Sequence, residues 1–137
     1  MEYFLVSVIA YLGLLAGYII LHLAQEEKKP GMKYFKFIEN VLFFVSLIVL
    51  VYYNASLIAL IAIIFWLLYR KYSIYIAYLS FAFGFFVLGG NLIYATIIFG
   101  YGLTAGSIIY QPRKNRLSRI IFLIYFIVIA NILKLIL

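Results

Sequence analysis

Few residues in this chain are of a type that does chemistry. The acids are Glu2, Glu26, Glu27 and Glu39, the one histidine is His22, and there is neither aspartate nor cysteine. Only Glu39, followed by Asn40, stands within an apolar run. An ionisable group inside a membrane helix is a functional-site candidate by default, which makes Glu39 and Asn40 a candidate intramembrane polar site for a proton or cation. Lys36 precedes Glu39 by three residues, the spacing of an ion pair on one helix face. A pair snorkelling at the membrane interface is therefore the simpler expectation. Tyr11 and Tyr18, seven residues apart, join the candidate site as hydroxyls able to line a polar pathway or to bond neighbouring helices.

Other chemistries lack their residues. Without cysteine there are no disulfides, thiolate metal sites or iron–sulfur clusters. A single histidine with no aspartate makes a poor metal set, and His22 reads as an interfacial residue. No glycine-rich phosphate loop, Ser/His/Asp set or carboxylate pair is present. Catalytic residues, metal ligands and cofactors are accordingly not expected.

The elements that must position Glu39 are apolar helices. The 137 residues are 69% hydrophobic and 11% charged, whereas a soluble domain is nearer half apolar and a quarter charged. Six runs of membrane-helix character occupy residues 3–24, 37–53, 55–69, 73–88, 92–110 and 120–137. They are apolar throughout rather than alternating, which favours helices over barrel strands. The expected fold is all-α: one polytopic integral membrane domain, a bundle of about six short transmembrane helices. Pro30-Gly31 reads as a helix stop within a loop at 25–36, and Gly89-Gly90-Asn91 as a tight turn. Asn54-Ala55-Ser56 reads as a second turn and also matches a glycosylation sequon, too near the membrane to be used. The first run lacks the basic leader and cleavage site of a signal peptide.

Ten of the eleven basic residues fall in alternate links, at 28–36, 70–71 and 113–119, and only Lys134 lies opposite. The positive-inside rule then puts these loops in the cytoplasm and both termini outside, in a multi-pass protein of the cell membrane. Topology explains the charge of +7, so nucleic acid is not expected as a partner. Lys28, Lys29, Arg113, Lys114, Arg116 and Arg119 are candidate contacts for anionic lipid headgroups.

Residues 13–20 read GLLAGYII and residues 102–109 read GLTAGSII, with six of eight positions identical. This suggests a duplicated helical hairpin. Each copy carries a GxxxG pair, Gly13/Gly17 and Gly102/Gly106, able to pack two helices closely or to drive self-association. The expected function is a non-catalytic structural or accessory subunit of a larger membrane complex, with partner subunits or further copies of itself. The alternative is a small transporter or channel for a neutral or weakly polar solute. A further alternative is an enzyme acting on lipid-linked substrates at the cytoplasmic rim.

Overall fold

The computed structural model describes residues 2–53, 57–72, 74–109 and 117–136, and these are almost all helical, with no strand among them. In chain order the helices are α1 (Glu2–Leu23), α2 (Lys28–Tyr53), α3 (Leu57–Tyr72), α4 (Ile74–Val87), α5 (Leu92–Ile109), α6 (Leu117–Phe122) and α7 (Tyr125–Ile136). Four helical stretches are long and apolar enough to cross a membrane: α1, Lys29–Tyr53 of α2, α5, and Arg119–Ile136, which joins α6 to α7. The helices α3 and α4 are shorter, at 16 and 14 residues.

Two boundaries depend on local chemistry. Pro30-Gly31 does not stop a helix, because α2 opens at Lys28 and runs through both. Proline is tolerated in a first turn, where its missing N–H would have had no intrahelical partner. The turn between α4 and α5 is a Schellman cap. Gly90 N–H donates to Phe85 C=O at 3.0 Å and Gly89 N–H to Phe86 C=O at 3.1 Å, with φ of 79° and 62° at the two glycines. A side chain at either position would be strained. Asn91 then caps α5, its Oδ1 accepting from Ile93 N–H at 2.8 Å.

Neighbours in space are only partly neighbours in sequence. Around the bundle the order is α1, α5, α2, α3, α4, α7, returning to α1. So α5 lies between α1 and α2, and α1 lies between α5 and α7. The closest approach is α1 on α5, which run parallel. A Cβ added at Gly13 would lie 2.2 Å from Phe99 O, and one added at Gly17 would lie 2.1 Å from Leu103 O. From the other side, a Cβ at Gly106 would lie 2.2 Å from Leu14 O, and one at Gly102 would lie 2.6 Å from Leu14 N. Only glycine lets the two backbones meet this way. The contacts are reciprocal across the two similar segments: Gly17 faces Leu103, and Gly106, the residue matching Gly17, faces Leu14, the residue matching Leu103.

On its other flank α1 presents Tyr3, Ser7 and Tyr11, one stripe at four-residue spacing, to the antiparallel α6 and α7. Tyr3 donates to Ala130 C=O at 3.2 Å, Asn131 Nδ2 donates to Ser7 Oγ at 3.2 Å, and Tyr11 donates to Ile120 C=O. The last bond has a local cause. Between α6 and α7 the ladder tightens, with Ile124 N–H bonding Ile121 C=O rather than Ile120 C=O. That shift releases the Ile120 carbonyl, and the Tyr11 hydroxyl takes it up.

Aromatic rings fill the middle of the bundle. Tyr78, Phe81 and Phe85 of α4, Tyr94 and Tyr101 of α5, Phe43 of α2 and Phe126 of α7 are all fully buried. Tyr78 makes edge-on contacts with Tyr11, Phe81, Tyr101 and Phe126 at centroid distances of 5.6 to 6.4 Å. Such geometry sets the positive ring edge against the negative face.

Candidate functional site around Glu39

Glu39 sits in the interior of the bundle. It is the twelfth residue of the 26-residue helix α2 and only 2% exposed. Because α2 begins at Lys28 rather than at Phe37, Glu39 lies about 16 Å along the helix instead of one turn from a loop. Its Oε1 accepts from the Tyr101 hydroxyl at 2.8 Å, near the middle of α5, and its Oε2 accepts from Lys36 Nζ at 2.9 Å. The Lys36 side chain is 49% exposed, so the pair runs from the core to the surface along one face of α2. The ion pair that the spacing predicts is present, with the lysine reaching outward while the carboxylate is shut in.

Asn40 faces α3, where its Oδ1 accepts from the Tyr69 hydroxyl at 3.1 Å. Tyr69 also stacks on Phe43 of α2, with centroids 4.0 Å apart and planes at 17°. Tyr69 is 8% exposed and ties α3 to α2. Glu39 and Asn40 therefore share a junction of α2, α3 and α5 with Tyr69 and Tyr101.

Tyr11 and Tyr18 do not join that junction directly. Tyr11 belongs to the seam with α6, and its ring reaches Tyr101 only through Tyr78. Tyr18 is half-buried further along α1, its backbone N beside Gly106. Tyr101 bonds the acid, Tyr69 bonds the adjacent Asn40, and Tyr78 packs against Tyr101.

The other polar side chains mostly bond their own helices. Ser46 donates to Phe43 C=O at 2.6 Å, Ser80 to Ala77 C=O at 2.8 Å and Thr104 to Tyr101 C=O at 2.9 Å. Ser107 adds a cross-helix bond to Gly17 C=O at 3.2 Å, next to the glycine contact. These bonds are packing chemistry, and they use the hydroxyls a polar solute would need. The fully buried Tyr78 hydroxyl has no hydrogen-bond partner among the described residues.

Of the basic residues considered for headgroup contact, Lys29 and Arg119 are exposed and Lys28 opens α2. Arg113, Lys114 and Arg116 lie outside the described residues, as do Asn54, Ala55 and Ser56. His22 is exposed at the end of α1, and its carbonyl accepts from Gln25 Nε2 at 3.3 Å. At the opposite end Lys134 Nζ lies 4.1 Å from the centroid of the Tyr3 ring, a cation–π contact. No group of three or more metal-ligating side chains occurs among the described residues.

Comparison with known proteins adds no assignment: no protein-family model, curated protein or solved structure matches the chain.

Proposed function

We propose that this chain is a multi-pass membrane protein of about six spans, acting without catalysis as a structural or accessory subunit of a larger membrane complex. The observation that carries this reading is the filled interior. Tyr78, Phe81, Phe85, Tyr94 and Tyr101 occupy the space a solute would have to cross, and all five are fully buried. Such a bundle is built to hold a shape. In this reading the protein lies in the cell membrane with its basic links in the cytoplasm and both termini outside. Lys28, Lys29 and Arg119, with Arg113, Lys114 and Arg116, meet anionic headgroups there. The reciprocal packing of Gly17 on Leu103 and of Gly106 on Leu14 supports descent from a duplicated hairpin. The test is affinity purification of the tagged protein from its native membrane in mild detergent, with mass spectrometry. A stoichiometric partner supports the subunit reading, and a protein that purifies alone as a monomer counts against it.

One observation favours a second reading, a small transporter or channel. Glu39 faces the interior of the bundle, where an ionisable group is costly to keep without a task. Proteoliposome flux that is lost in Glu39→Gln supports transport. Flux that is absent, or unchanged by that substitution, removes the reason to prefer it.

A further inference from the structure

Two clefts meet on the outer face of the α2/α3 hairpin. The first, about 430 Å³, is lined by Lys36, Asn40, Phe43, Trp66, Tyr69 and Arg70. The second, about 520 Å³, is a largely apolar groove between Phe44, Leu47, Ile48, Val51 and Tyr52 of α2 and Ala62 and Ile63 of α3. Trp66 lines both, so they are two ends of one surface feature. Ala62 and the Tyr69–Phe43 stack explain its shape. The small side chain leaves the groove open along the hairpin, and the stacked rings hold the helices in register beneath the polar end.

We propose that this face binds one anionic phospholipid, its phosphate at Arg70, Lys36 and Asn40 and one acyl chain in the apolar groove beside Trp66. The proposal goes beyond the subunit and transporter readings but rests on insertion in a membrane. Charge selects the headgroup. Arg70 is exposed at the last turn of α3, and its guanidinium suits a phosphate better than any other side chain does. Lys36, ion-paired with Glu39, brings a half-exposed side chain to the cleft. With its carbonyl taken by Tyr69, Asn40 has an amide NH₂ to donate. Glu39 offsets the charge of Lys36, so Arg70 supplies the net positive charge.

Length selects the chain. From Asn40 to Tyr52 the feature runs about 18 Å along α2, comparable to one leaflet's hydrocarbon depth of about 15 Å. The polar end also lies on the side to which the basic links belong, where anionic headgroups would be concentrated.

Trp66 is the only tryptophan in the chain, so its fluorescence reports on this groove alone. The full-length protein is reconstituted in phosphatidylcholine vesicles. A minor fraction of the lipid carries brominated acyl chains, either as phosphatidylcholine or as phosphatidylglycerol. Bromine quenches tryptophan on contact. The expected result is stronger quenching by the brominated phosphatidylglycerol at equal fraction, corresponding to about a fivefold preference per engaged cation. Arg70→Gln is expected to remove most of that preference. Lys36→Arg, which keeps the ion pair with Glu39, is expected to retain it. Equal quenching by both lipids in the unmodified protein would overturn the site. So would weak quenching by both in protein that floats with the vesicles, because the groove would then be covered by a second copy. Protein that fails to float with the vesicles sinks the membrane reading itself, and the lipid site with it.

Discussion

The Tyr101 hydroxyl donates a hydrogen bond to Glu39 Oε1 over 2.8 Å, and neither side chain reaches the surface. The bond joins α2 to α5, the helix that also carries Gly102 and Gly106 against α1. One tyrosine thus anchors the carboxylate next to the closest helix–helix contact in the bundle. The neighbouring Tyr78 hydroxyl is equally buried and bonds nothing among the described residues.

These two tyrosines should respond oppositely to loss of the hydroxyl. Tyr101→Phe strips a donor from a buried carboxylate and is expected to destabilise by about 1–3 kcal/mol. Tyr78→Phe removes an unsatisfied hydroxyl and is expected to be neutral or to stabilise by up to about 1 kcal/mol. Thermal unfolding in mild detergent measures both. Equal losses would mean that the Tyr101–Glu39 bond has no special weight.

The glycine contacts make a graded prediction. Gly17→Ala sets a Cβ 2.1 Å from Leu103 O, so the backbones must separate, at an expected cost of about 1–3 kcal/mol. Gly17→Leu should cost more. Gly100→Ala is the control on α5, since its Cβ meets only Leu42 Cδ1 of α2 at an ordinary 3.5 Å. Its unfolding temperature should stay near that of the unmodified protein.

The seam between the first and last helices can be tested by cross-linking, helped by the absence of native cysteine. Asn131 Nδ2 and Ser7 Oγ are 3.2 Å apart, so the Ser7→Cys, Asn131→Cys pair should join under mild oxidation within one chain. A pair at Ser7→Cys and Ile48→Cys, on helices that do not adjoin around the bundle, should not. If only cross-linked dimers form, the seam belongs between copies. Tyr11→Phe should loosen the same seam by about 1–2 kcal/mol, because it leaves the Ile120 carbonyl unpaired at the α6–α7 break.

Orientation is checked with single cysteines at exposed sites near opposite ends. Glu26→Cys, in the turn between α1 and α2, should be shielded from an impermeant thiol reagent in intact cells. Leu92→Cys, 71% exposed at the start of α5, should react. Reaction at both positions from outside would rule out the proposed topology.

Composition and run length by themselves determined that the described chain is all-helical and that several helices are apolar enough for a membrane. Twenty-residue runs without polar alternation leave the backbone few other ways to satisfy its hydrogen bonds. Local chemistry was equally legible at Gly89-Gly90-Asn91, since a left-handed cap followed by an asparagine N-cap needs only neighbouring residues. The place of Glu39 was not legible. Its depth depended on α2 starting at Lys28, through a proline that is harmful inside a helix but harmless in a first turn. Its partner, Tyr101, lies 62 residues away. Nor could the sequence say which tyrosines face inward, because α4 and α5 are apolar on every side and no stripe marks the core face. Only packing decided that: α5 entered between α1 and α2, glycine met backbone, and the tyrosines nearest the acid became its neighbours.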